Sequence, residues 1–428
     1  MIRKRVYNLR KSISFFFLKF ALILNSHKLC ALIIWLNIRK FKTINFSNNA
    51  TKKVLVFSKS GGNEDLIQSF HGVKNNNIIF YWIPRSFLKT IYKYFLGNNS
   101  KDDYFTKFTK PNEIFKKNLY ISFLILIFDY LDKFIKFNGF ISFNIFYYSE
   151  KELDVVFKNL NKKFIILHKE STFTPLEELE ALKIYKKNND KTLADKISVY
   201  SKSQKKILLQ SKIAKNEQII VNGCARSDYS FKLRNFKPKD NIIVFYLIEN
   251  QRSKNLVSNK QKVNWKKLNE STLEYLINFA KDNLNTKIIL KGKTGVHTQK
   301  EYSSKILPKN CIFIEGGTGD KFLKDAKIVI AFNSTIIFEA IASNRNLIIP
   351  NFNNENIKYR ENTYKSDNRH YLVNSKYEFE KKIDFYLGLK YQNRKLQKFE
   401  KKILDYYLGS VDGKSGKRLR KFIKMNIK

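Results

Sequence analysis

"AFNSTIIFEAIASNRNLIIP", Ala331–Pro350, decides how the chain is read. It opens as the end of an apolar strand, Ile328–Phe332, and passes through a polar triplet, Asn333-Ser334-Thr335. A short apolar helix with one acid, Glu339, follows. A second apolar strand, Leu347–Ile349, ends at Pro350. Strand, turn, helix and strand, with near-continuous Ile, Val and Leu, is the pattern of a parallel sheet buried on both faces.

The same alternation runs through most of the chain. Upstream lie "IIVFYLI" (Ile242–Ile248), "KIILKGK" (Lys287–Lys293) and "CIFIEGG" (Cys311–Gly317), separated by helical segments. Earlier still come "KKVLVFS" (Lys52–Ser58), "GFISFN" (Gly139–Asn144), "KFIILHKE" (Lys163–Glu170), the strand opening Lys196–Ile213, and "QIIVNGCARSDY" (Gln218–Tyr229). The region Tyr81–Phe140 reads as mostly helical. A polar stretch with Pro238, Phe231–Asn241, reads as a linker. With 428 residues, two cores are expected rather than one. The expected fold is therefore α/β, with two Rossmann-like parallel-sheet domains facing a cleft and a helical N-terminal extension. The expected boundaries are 1–50 for a basic apolar extension, 51–235 and 236–390 for the two domains, and 391–428 for a basic helical tail.

The net charge is +44. That favours an anionic partner, such as a phosphorylated substrate or an acidic membrane surface. The charge is spread along the whole chain and no recognition module for nucleic acid is evident, so no nucleic-acid partner is expected. Three distant cysteines argue against a disulfide framework and fit a reducing cytoplasm. With no CxxC pair and only five scattered histidines, no metal site is expected; no cofactor is expected either. Ser12–Phe41 is apolar in two blocks, each shorter than the ~20 residues a span needs. It reads either as a basic, aromatic-rich hairpin on a membrane face or as helices packed on the first domain.

In open parallel sheets ligands sit beyond the carboxyl ends of the strands, so the chemistry is sought there. Asn333, Ser334 and Thr335 open a helix, where hydroxyls and free amides can grip a phosphate; an ordinary cap reads the same way. Glu339, one turn on, can accept sugar hydroxyls or be a solvated acid. Lys291 and Lys293 end a strand with one residue between them, so alternation puts both on one side. They suit a phosphate, or belong to a solvated basic loop. His168 and Glu170 share the same spacing and can take a hydroxyl proton, unless His168 is simply buried and satisfied by backbone. Arg226, in "NGCARSD", suits a bidentate phosphate contact or a salt bridge. "SGGNED" matches neither dinucleotide nor P-loop spacing. No Asp-x-Asp occurs, so the usual metal-diphosphate signature is missing.

"LHKESTFTPLEELEALKIYKK", "QIIVNGCARSDY", "KIILKGKTG" and "AKIVIAFNSTIIFEAIASNRNLIIPNF" together resemble, in that order, the motif series of bacterial surface-carbohydrate biosynthesis proteins. These are GT-B-fold glycosyltransferases related to capsule and Kdo-type enzymes. The likeness covers about residues 140–380. It departs from the family in the N-terminal extension and in "SNRN" (Ser343–Asn346), where the family usually has a glycine turn. The resemblance implies a nucleotide-sugar donor on the second domain and a glycan or lipid-linked acceptor on the first. It also implies transfer without a metal, by an enzyme of the cytoplasm or of the inner membrane face. Epimerisation of a sugar nucleotide, glycerophosphate transfer, and a non-catalytic membrane-associated scaffold stay open beside it.

Overall fold

The strands carry the architecture. In this computed structural model the described residues are 2–59, 61–97, 108–169, 175–188, 191–248, 264–293, 302, 305–317, 319–332, 334–352 and 371–427. The chain divides into two units: Met1–Ser171, Lys183–Arg226 and Lys414–Lys428 form one, and Thr172–Leu182 with Ser227–Gly413 the other.

The first unit holds a seven-stranded sheet. Its strands are β1 (Arg39–Lys40), β2 (Lys52–Ser58), β3 (Ile78–Pro84), β4 (Gly139–Ser142), β5 (Lys163–Leu167), β6 (Lys196–Val199) and β7 (Ile219–Val221). Their order is β1-β3-β2-β4-β5-β6-β7. All neighbours are parallel except the edge pair β1 and β3. β3 corrects the reading of residues 81–84 as helical. "IIFYWIP" pairs along its whole length with β2, from Lys52 opposite Ile78 to Ser58 opposite Pro84. Its aromatics, Phe80 buried and Tyr81 and Trp82 half-buried, lie on a pleated surface rather than a helix face. Helix Ser415–Asn426 belongs here too: Leu419, Phe422 and Ile423, with Ile427 just beyond, join Val54, Val56 and Ile165 in one core. The last stretch of the chain thus divides. Helix Lys398–Tyr407 belongs to the second unit, and Ser415–Asn426 to the first.

The second unit holds β8 (Ile242–Tyr246), β9 (Lys287–Gly292), β10 (Cys311–Glu315), β11 (Ile328–Ala331), β12 (Asn346–Pro350) and β13 (Leu372–Val373). The order is β10-β9-β8-β11-β12-β13, and every pairing is parallel. Counted within the unit this is 3-2-1-4-5-6, the order of the dinucleotide-binding Rossmann sheet. Strand order reverses between β8 and β11, so a crevice is expected beyond their carboxyl ends. Helix Trp265–Asp282 covers one face through Leu268, Leu273, Leu276 and Ala280.

The departure at "SNRN" has a local explanation. Asn344 takes φ +57, the left-handed conformation that glycine usually supplies after a helix. Arg345, buried beside it, donates to the carbonyls of Leu323 (2.6 Å), Ser343 (3.0 Å), Leu233 (3.2 Å), Phe236 (3.1 Å) and Lys324 (3.2 Å). A buried guanidinium is tolerable because its donors are satisfied.

Candidate functional site

The residues gathered at the carboxyl edge of the second sheet are Tyr246, Lys291, Gly319, Asp320, Ser334, Thr335 and Glu339. Tyr246 ends β8, at the point where strand order reverses. Its hydroxyl donates to the carbonyl of Gly319, 2.7 Å away. A Cβ on Gly319 would lie 3.2 Å from Ile336 Cδ1 and 3.3 Å from Tyr246 Cε1, so the turn Gly319–Phe322 sits close against the strand ends. Burial, and then the charges of Glu339 and Asp320, push the Tyr246 phenol well above its ordinary range. It therefore stays protonated and acts as a donor.

Lys291 lies on the neighbouring strand, paired with Tyr246 on one side and Ile314 on the other. It is only 5% exposed. Its Nζ donates to Gly292 O at 2.7 Å and lies 5.9 Å from the Phe322 ring centroid. Among the described residues no carboxylate ion-pairs with it. Burial pushes its pKa down, because the charged form is poorly solvated there. Asp320, two residues before Phe322, has an oxygen, Oδ1, that is shielded from solvent and accepts no hydrogen bond among the described residues. A buried cation without an anion and a buried acceptor without a donor are each unfavourable alone. A ligand bearing both phosphate and hydroxyl groups would relieve both.

The opening triplet flanks the same edge. Ser334 is exposed and Thr335 half-buried. Thr335 stands at the cap position of helix Ile336–Ala342, yet its side chain makes no cap hydrogen bond. Its carbonyl accepts from Phe338 N (3.1 Å) and Glu339 N (3.4 Å), which places Glu339 one turn on. Asn333 lies outside the described residues. Lys293 does not share the surroundings of Lys291: it lies just past the end of β9 and is exposed. Alternation along a strand does not carry beyond the strand's last residue.

His168 and Arg226 fall in the first unit, at the ends of β5 and β7. His168 is buried, packs edge-on against Phe146 with centroids 5.3 Å apart, and donates its backbone N–H to Ser198 O (2.8 Å). Glu170 lies outside the described residues. Arg226 belongs to a network around buried Asp65. That carboxylate accepts from the Tyr200 hydroxyl and from Arg226 N (2.9 Å), with the Arg226 guanidinium 3.8 Å away. Gly61, φ +85, closes the other side: a Cβ there would meet Arg226 Nη1 at 2.7 Å and Lys169 Cδ at 3.3 Å.

Sequence reasoning missed Tyr246, Asp320, Asp65 and Lys169. For Tyr246 a signal existed, a lone polar ring at the end of an apolar strand that opens a new alternation. For Asp65 none did, because its partners lie more than a hundred residues away in the chain.

No protein-family model matches the chain, and no curated protein is significantly similar to it. Among solved structures, the wall teichoic acid polymerase TagF soaked with CDPG aligns at a TM-score of 0.44 and 13% identity, over 99% of this chain and 98% of that one. The glycotransferase of kitacinnamycin aligns at 0.45 and 9%, over 89% and 100%. The E. coli trehalose-6-phosphate structure bound with UDP-2-fluoro glucose aligns at 0.44 and 11%, over 88% and 99%. Likeness at this level assigns no activity to this chain.

Proposed function

We propose that the protein is a GT-B-type glycosyltransferase, moving a sugar from a nucleotide-activated donor to a surface-polysaccharide or lipid-linked glycan acceptor. The observation that carries this reading is Lys291: a buried ammonium with no carboxylate partner among the described residues, one strand from the reversal of a Rossmann-ordered sheet. Donor phosphate supplies the missing anion. The Ser334 and Thr335 hydroxyls and the exposed Lys293 add further contacts, and Asn333 belongs with them. Glu339 and Asp320 accept hydroxyls of the donor.

In the transfer, an acceptor oxygen bonds to the anomeric carbon. The bond from that carbon to the phosphate oxygen breaks, and its electron pair leaves on the nucleotide. Lys291 stabilises that developing charge in a site of low polarity, where a fixed cation acts strongly. Lysine charge thus takes the part that a metal takes in other transferases. His168 and Glu170 are the candidates for receiving the acceptor's proton, and Arg226 for an acceptor or donor phosphate.

The test is turnover with a panel of CMP-, UDP- and GDP-sugars, read as nucleotide release with product analysis. Glu339→Ala and Lys291→Ala should both abolish transfer while the protein stays folded. Wild-type activity in both variants rejects the site. A product carrying glycerophosphate, or an epimerised donor, rejects the reaction.

A further inference from the structure

Three helices of the first unit are apolar on both sides. Helix Ile2–Ile23 buries Leu18, Ala21 and Leu22, yet Ile13, Phe16, Phe20 and Ile23 face outward, the last three 68%, 51% and 71% exposed. Their spacing of three, four and three makes one continuous helical stripe. Helix His27–Asn37 packs against it and buries Cys30, Ala31 and Ile34, while Leu29, Leu32 and Leu36 face out at the same period. Helix Pro111–Ile135 packs on the other side of His27–Asn37. It buries Leu124, Phe128 and Leu131 and exposes Phe115, Leu119, Leu126 and Phe134. Trp35 and Phe134, both exposed, join two of the stripes, with ring centroids 5.4 Å apart. A surface helix ordinarily turns polar residues outward. An exposed apolar face spanning three helices marks an interaction surface.

Charge says what covers it. The first acidic residue of the whole chain is Glu64, so the hairpin of the first two helices carries only positive side chains. Arg10, Lys19 and Lys28 are exposed among the apolar stripes, and Lys116 flanks the third, where Lys133 pairs with Asp129 at 3.7 Å. A second copy would set this acid-free hairpin against itself, and like charges would repel. An anionic bilayer attracts it, at about 1 kcal/mol for each lysine or arginine near the surface. Among the described residues no helix is long and apolar enough to cross a membrane. The stripes therefore suit a helix lying at the interface, rings in the headgroup layer and lysines at the phosphates.

We infer that the face formed by Ile2–Ile23, His27–Asn37 and Pro111–Ile135 docks the protein onto an anionic lipid bilayer. The test is flotation of the full chain with vesicles of phosphatidylcholine alone or with added phosphatidylglycerol. Wild type should float with the anionic vesicles and dissociate in high salt. Phe16→Gln with Phe20→Gln should weaken that binding about tenfold or more, with an unchanged thermal midpoint because both positions are exposed. Lys19→Glu with Lys28→Glu tests the charge separately and should also weaken it. Wild type that stays unbound to anionic vesicles overturns the inference, as does undiminished binding by both variants. A wild-type dimer in sedimentation that becomes a monomer in the Phe16/Phe20 variant also overturns it, since a second copy is then the occupant.

Discussion

The hydroxyl of Tyr246 donates to the carbonyl of Gly319 across 2.7 Å, tying the end of β8 to the turn that follows β10. That bond ties down the turn of Phe322, whose ring centroid lies 5.9 Å from Lys291 Nζ. Tyr246→Phe leaves the carbonyl without this donor and should lower stability by about 1 kcal/mol. If the turn helps form the donor site, nucleotide-sugar affinity should fall several-fold as well. Thermal unfolding and calorimetric titration of the same variant separate the two effects.

Lys291 gives a prediction with an unusual sign. Its folded pKa is lowered by burial. The unfolded chain therefore holds more protons between the folded and unfolded values, and stability rises as pH climbs through that window. Below the window, at neutral pH, the full penalty is present. Lys291→Met should raise the ligand-free thermal midpoint, on the order of 1 kcal/mol or about 2–4 °C. It should also flatten the alkaline gain in stability while abolishing donor binding. Thermal melts from neutral to alkaline pH check this.

Glu400 behaves in the opposite way. Burial pushes its carboxyl up, but Arg394, the backbone of Gln397 and Tyr371 together hold it below the ordinary glutamate range. Arg394 reaches it at 2.6 and 2.7 Å and the Tyr371 hydroxyl at 2.8 Å. A depressed pKa contributes stability above the unfolded value and loses it as pH falls through the folded one. Glu400→Gln should destabilise the second unit by about 3 kcal/mol at neutral pH. The gap to wild type should narrow in acid, as denaturant titrations at several pH values would show.

In the first unit, Asp65→Ala strands the buried Tyr200 hydroxyl and the Arg226 backbone N–H at once. A loss of roughly 3 kcal/mol is expected, since each unsatisfied buried donor costs about 1–3 kcal/mol. Chemical denaturation of this variant, with near-ultraviolet dichroism to follow Tyr200, reads the effect.

Much of the fold was legible because the parallel strands are buried on both faces and so read as short apolar runs. "KKVLVFS" is β2 residue for residue. β3 was not legible, since three aromatics in seven residues suit a buried strand and a helix alike. Lys291 was singled out by its place at a strand end. That no described carboxylate pairs with it depends on what the neighbouring strands and the Gly319–Phe322 turn bring to it, which no local spacing encodes. Lys293 was grouped with it by a periodicity that stops at Gly292. The role of "SNRN" was hidden because Asn344 takes a backbone conformation usually reserved for glycine. The placing of Ser415–Asn426 in the first core, hundreds of residues from β2, likewise has no local signal.

The most direct measurement is calorimetric titration of CMP-, UDP- and GDP-sugars into wild type and Lys291→Met, with thermal melts to confirm that both are folded. At least one donor should bind wild type and raise its thermal midpoint, while Lys291→Met, folded and no less stable, should bind none. Failure of every donor to bind wild type, or equal binding by the variant, would contradict the assignment of donor phosphate to Lys291.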